Sequence, residues 1–113
     1  MSALFVYGTL RSGAGHPMQA TLAAAGRSLG ATRVRGVLYT VDWYPGLVVA
    51  PDAGWVVGEL WHLDDAGVLP TLDEYEGEEF RRETLACCGA WAYLYVGPTK
   101  GLDVVASGDW LAR

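Results

Sequence analysis

A chain of 113 residues carrying a net charge of −5 is long enough for one domain with a real core and too short for two. Hydrophobic residues make up 51% and charged residues 19%, which excludes a disordered chain. The acidic balance without a basic cluster argues against a nucleic-acid partner, and no apolar run reaches the length of a membrane span.

Leu4-Phe5-Val6-Tyr7 is a short β-branched and aromatic run closed by Gly8, the pattern of a buried strand. Gly8 permits a sharp turn, and Gly13 and Gly15 keep the next segment open. Backbone N–H groups freed at such a turn can face an anion or a developing oxyanion; the alternative is an ordinary strand-to-loop transition. A phosphate loop is excluded, because no Lys-Ser or Lys-Thr follows Gly13. Pro17 to Ala25 predicts a helix: proline suits its first position, alanines propagate it and Gly26 stops it. Met18, Leu22 and Ala25 form its inward stripe.

From Arg33 to Tyr39 the pattern is that of a strand, with Arg33 and Arg35 on its exposed face and Val41 as an extension. Trp43-Tyr44-Pro45-Gly46 is a turn, Leu47 to Val49 a strand, and Pro51 to Gly54 another turn. Trp55 to Trp61 is a fourth strand, in which Gly58 marks a bulge or a close backbone approach. Asp64 or Asp65 caps a helix that runs to Glu76 and ends at Gly77, with Pro70 kinking it or delaying its start. Strands Arg82 to Cys88 and Ala90 to Val96, turning at Gly89, complete the sheet, and Gly108 to Leu111 closes over one end. Many short strands with two helices and no βαβ rhythm predict a single α+β domain built as a small barrel.

Cys87 and Cys88 are neighbours; on a strand they face opposite ways, so they are expected to be two small core residues rather than a redox pair. His16 and His62 have no accompanying ligand pattern, so no metal is expected. The first residues have no basic start or cleavage site, which makes a cytoplasmic protein the expectation.

Glu76 is the most informative position. On a wheel of about 100° per residue, Glu76 falls inside the arc of Val68, Leu69 and Leu72, while Asp73 and Glu74 turn toward water. An acid on a buried stripe must be paired, hydrogen-bonded or protonated. Burial and the negative end of the helix both push its pKa up from about 4.3, toward values useful in proton transfer. The alternative is a helix that frays early, leaving Glu76 to pair with Arg81 or Arg82.

The turn after Tyr7 and the inward acid together resemble the γ-glutamylcyclotransferase-like family, which includes the γ-glutamylamine cyclotransferases and AIG2-like proteins. Val6-Tyr7-Gly8-Thr9-Leu10-Arg11 is similar to its opening motif, and Gly36-Val37-Leu38-Tyr39 with Tyr44-Pro45-Gly46 to its second block. Val57-Gly58-Glu59-Leu60 resembles the third block and Leu72-Asp73-Glu74-Tyr75-Glu76-Gly77 the catalytic one. Ala92-Tyr93-Leu94-Tyr95 and Ser107-Gly108-Asp109-Trp110 resemble the closing pieces. Two departures stand out: Gly15 precedes His16 where the family often has asparagine, and Phe80 replaces a common tyrosine.

The resemblance implies a mixed β-barrel flanked by helices, with Glu76 as the catalytic acid/base. It also implies that main-chain groups of Gly8, Thr9 and Leu10 bind the γ-glutamyl part beside Tyr7. The implied reaction is attack of the substrate's α-amino group on its own γ-amide, releasing 5-oxoproline, and it requires no nucleophilic residue and no cofactor. The implied partner is a small γ-glutamyl compound, with no nucleic acid or membrane, and the expected state is a monomer or weak homodimer. A non-catalytic binding module of the same fold, or a related acyl-chain-removing cyclotransferase in a biosynthetic pathway, are the alternatives.

The aromatic residues are expected to serve the barrel. Trp43, Trp55, Trp61, Trp91 and Trp110 should be mostly core or rim packing. Tyr7 and Tyr93 should present hydroxyls to the pocket, with Trp91 deeper than Tyr93 on the same face.

Overall fold

The apolar run before Gly8 forms strand β1 (Ser2–Val6), with β4 (Trp55–Leu63) on one side and β6 (Trp91–Tyr95) on the other. In the computed structural model, which describes residues 2–113, the strand order β1-β4-β2-β3-β6 returns to β1 and closes a five-stranded mixed barrel. The remaining barrel strands are β2 (Gly26–Thr40) and β3 (Pro45–Val49); β5 (Phe80–Thr84) hangs on β6, and β7 (Asp103–Val104) on β2. The β1–β6 and β3–β6 pairings are parallel, with Phe5 opposite Ala92 and Leu47 opposite Leu94; the others are antiparallel.

Alternation along β1 sorts the core into two. Leu4 and Val6 face helices α1 (Pro17–Ala25) and α2 (Leu69–Glu76), packing with Leu22, Trp61, Leu69, Leu72 and Tyr93. Phe5 faces the barrel interior, with Tyr7, Leu38, Leu47, Val56, Ala92 and the tail residue Trp110. Gly58 explains how closely β4 approaches β1: a Cβ there would lie 2.3 Å from the Val6 carbonyl oxygen.

The boundaries differ instructively from those expected. Strand β2 begins at Gly26, directly after α1, rather than at Arg33. A Cβ at Gly26 would sit 2.2 Å from the His62 carbonyl oxygen, so glycine lets the chain pass from helix to strand at close quarters. Arg27 to Arg33 are exposed and lack apolar alternation, which hid this half of the strand. The helix before Glu76 is split: a 3₁₀ turn, Ala66–Val68, is capped by Asp65, and α2 starts at Leu69 with Pro70 in its first turn. Gly77, at φ 77°, ends it as expected.

The Cys87–Cys88 expectation fails. β5 stops at Thr84, and the chain leaves the sheet at Leu85, whose N–H donates to the Ala90 carbonyl at 2.8 Å. Both cysteines lie exposed on this turn. Among the tryptophans, Trp61 and Trp110 are buried, but Trp43 is 59% exposed and Trp55 40%. The Trp55 ring is covered from outside by the guanidinium groups of Arg33 and Arg35, at 4.4 and 3.7 Å from its centroid. Tyr93 is buried, whereas Trp91 is only partly so and lies under Arg82, which reverses their expected depth. No helix among the described residues is long and apolar enough to cross a membrane.

Candidate active site

The chain leaving β1 forms one wall of a cavity of about 190 Å³. The turn Trp43-Tyr44-Pro45, the end of α2, Phe80 and Tyr93 supply the others. Tyr7, Gly8, Thr9, Leu10, Glu76 and Tyr93, all singled out from sequence, line this one cavity. Their roles there differ from one another.

Gly8 does not have a positive φ. It is glycine because a Cβ would meet Pro45 Cγ and Cδ at 2.7 and 2.8 Å, so the two walls touch where a side chain would hold them apart. Its carbonyl accepts from Arg11 N–H at 3.1 Å, closing the turn. Among the described residues no acceptor takes the amide N–H of Gly8, Thr9 or Leu10. The far end of the loop is held by Arg11, which donates to Asp109 Oδ1 at 2.7 Å and lies 3.8 Å from Glu59. Glu59 in turn accepts the Ser12 N–H at 2.9 Å. The Arg11 guanidinium keeps the Asp109 carboxyl below its usual range.

The two tyrosine hydroxyls are committed to the framework and are not free in the pocket. Tyr7 donates to the Tyr93 carbonyl at 2.6 Å and accepts from Leu47 N–H at 3.1 Å, crossing the barrel; burial above all raises its pKa. Tyr93 donates to Asp73 Oδ1 at 2.6 Å, and Arg82 closes on the same carboxylate from Nε at 2.8 Å and Nη2 at 3.2 Å. Asp73 therefore does not simply turn to water. Its carboxyl joins α2 to β5 and β6, and the Arg82 hydrogen bonds hold its pKa low. The wheel missed this because both partners come from strands distant in the chain.

Glu76 is the last residue of α2. Among the described residues its carboxyl has no hydrogen bond or ion pair: Arg82 is engaged with Asp73, and Arg81 lies 3.9 Å from Glu83. The fraying alternative is thereby removed. Burial pushes its pKa from 4.5 up to about 7. Its charge adds to the upward shifts of the Tyr7, Tyr75 and Tyr93 hydroxyls, all first caused by burial.

Three residues not singled out as site residues complete the mouth. His16 caps α1, its Nδ1 accepting the Met18 N–H at 3.1 Å. In the neutral ring the hydrogen then sits on Nε2, which donates to Tyr75 Oη at 3.3 Å. Tyr75 Oη and Thr9 Oγ1 are 2.7 Å apart. One of these hydroxyls donates to the other, so the pair keeps a single proton free to offer an oxygen in the cavity. The His16 ring also stacks on Trp43, with centroids 5.6 Å apart and planes within 7°, which holds the exposed Trp43 at the rim. The unusual Trp43-Tyr44-Pro45 run was the available signal for this rim. Among the described residues no group of three or more His, Cys, Asp or Glu side chains could hold a metal ion.

A closed mixed barrel with helices on one face, and an unpaired, half-buried carboxyl facing a glycine loop, defines a recognisable class. Residues 4–112 match the family described as gamma-glutamyl cyclotransferase, AIG2-like, and the chain belongs to that family. The Gamma-glutamylcyclotransferase family protein YtfP of Escherichia coli K12 is 37% identical over 97% of this chain and 96% of its own length. The solution NMR structure of E. coli YtfP superposes with a TM-score of 0.73 at 34% identity, covering 98% of this chain and 97% of that one. The crystal structure of c4763, a uropathogenic E. coli-specific protein, shares the fold at 21% identity, with a TM-score of 0.81 over 98% and 93% of the two chains.

Proposed function

We propose that the protein is a γ-glutamylcyclotransferase-type enzyme, releasing 5-oxoproline and a free amine or amino acid from a γ-glutamyl compound. The observation that carries this reading is Glu76: an unpaired carboxyl, raised to about 7 by burial, in a cavity that also holds the unused amides of Gly8, Thr9 and Leu10.

In the proposed reaction the substrate's α-ammonium gives a proton to Glu76. The freed amine attacks its own γ-carbonyl carbon, the ring C–N bond forms, and the carbonyl oxygen takes the negative charge. The bond to the leaving amine then breaks as Glu76 returns the proton to that nitrogen, and the oxyanion collapses to the lactam carbonyl. The second proton of the ring nitrogen passes to the departing amine, which leaves as an ammonium. An α-ammonium has a pKa of about 8, so transfer to a carboxylate near 7 is uphill by roughly 1.4 kcal/mol. Transfer to an ordinary glutamate would be uphill by nearly 5 kcal/mol on the same scale. The tethered nucleophile removes the entropy of bringing two reactants together. The loop amides and the free proton of the Thr9–Tyr75 pair are donors for the oxyanion and the substrate carboxylate. No step requires a metal or a cofactor.

The test is incubation with γ-glutamyl amines, γ-glutamyl amino acids and glutathione, assaying 5-oxoproline with Glu76→Gln as the control. Binding of 5-oxoproline without its production from any of them would reassign the protein as a binding module.

A further inference from the structure

The turn from Leu85 to Ala90 carries the only two cysteines of the chain, outside the cavity. Cys87 and Cys88 are both exposed, and their Sγ atoms are 3.5 Å apart. The backbone beneath them is fixed by Gly89 N–H and Cys88 N–H, which donate to the Leu85 carbonyl at 2.7 and 3.3 Å, and by Gly89 at φ 73°. Two thiols are thus displayed side by side on a tight, hydrogen-bonded tip.

That geometry discriminates between fates. Neighbouring residues have Cα atoms about 3.8 Å apart, below the roughly 4.4–6.8 Å that a disulfide prefers, so closing this pair on itself is strained. Local desolvation and the adjacent thiol push the Cys87 pKa up, which disfavours the thiolate that attacks peroxides. A structural zinc takes four ligands, and among the described residues no third metal-binding side chain is clustered here. What remains is a partner that condenses with two neutral thiols and needs no further protein ligand.

We propose that Cys87 and Cys88 form a vicinal-dithiol site for a trivalent thiophilic metalloid of the arsenite class. Two As–S bonds form, two As–OH bonds break, the two thiol protons leave with the hydroxyls as two waters, and the third As–OH stays; no electron changes hands. Two bonds of about 2.3 Å, the length of a zinc–thiolate bond, opened to 90–110° span about 3.3–3.8 Å. The observed 3.5 Å lies within that bite.

The probe is phenylarsine oxide, which takes two thiols with loss of one water. The intact protein should gain one phenylarsine per chain and lose both thiols to a thiol-counting dye, with release by a small dithiol at concentrations where a monothiol fails. Losing the chelate should weaken binding in Cys87→Ser and in Cys88→Ser by roughly 10²-fold or more. Both sites are exposed, so unchanged melting curves certify the fold of each variant. Wild-type-like affinity in either serine variant, or two probes per wild-type chain, would overturn the proposal. None of these readouts depends on turnover, so the result is independent of the cyclotransferase reading.

Discussion

Glu76→Gln separates the stability of this protein from its activity, in opposite directions. A carboxyl whose pKa is raised in the folded state binds its proton more tightly there than in the unfolded chain. Between pH 4.5 and about 7 the folded state therefore holds more protons, and stability falls as pH rises through that window and stays low above it. At about 1.36 kcal/mol per pKa unit, the rise from 4.5 to about 7 sets a ceiling of about 3.4 kcal/mol on the penalty. A side chain that keeps some contact with the cavity mouth carries roughly 2 kcal/mol of it, and glutamine removes that penalty without changing shape. Melting should show the variant higher by roughly 8 °C or more at pH 8.5, on a scale of ~4–8 °C per kcal/mol, and nearly equal to wild type at pH 5. Turnover should fall by at least ~10²-fold, the usual worth of a general base. A melting difference that is the same at both pH values would refute the buried-acid argument, and full turnover would refute the catalytic one.

Asp73→Asn should cost about 1–3 kcal/mol in denaturant unfolding, because Arg82 and the Tyr93 hydroxyl lose a charged acceptor. The stability from its depressed pKa is present above the unfolded value near 3.9 and lost as pH falls through the lower folded value, so the cost of the substitution should shrink in acid. Tyr93→Phe should destabilise and lower turnover together, since its hydroxyl steadies the helix that ends in Glu76; unchanged stability would contradict that. Gly8→Ala should cost roughly 1–3 kcal/mol through contact with Pro45, and Pro45→Ala should recover part of it in a double-mutant cycle. Trp43→Ala should leave melting within about 1 kcal/mol of wild type while raising KM more than it lowers kcat.

The features legible in the sequence were those with a local cause. Glu76 was found because its neighbours at four- and seven-residue spacing, Leu72 and Leu69, share its face of α2, and Gly77 marked the end of that helix. Gly58 was read as a bulge or a close backbone approach, and the fold shows the second, against the Val6 carbonyl. What stayed hidden depended on partners supplied by the fold. Asp73 lies roughly 40° beyond Leu69, just outside the apolar stripe, and nothing near it in the chain reveals that Arg82 and Tyr93 converge there. Cys87 and Cys88 continued an apolar-looking run, but the chain turns at Leu85 to hydrogen-bond Ala90, so the apparent strand ended early. Gly8 was read as permitting a sharp turn, yet its φ is not positive, and what requires glycine there is the approach of Pro45 from a distant part of the chain.

The double pairing of β1 has a kinetic meaning. Phe5 pairs with Leu60 on one side and Ala92 on the other, so the strand that leads into the Gly8–Leu10 loop is not fully seated until β6 arrives. Contacts so distant in sequence make loop closure costly before they stabilise anything, which slows folding. The cavity should consequently appear last in refolding, with recovery of ligand binding lagging behind the early helical signal of α1 and α2.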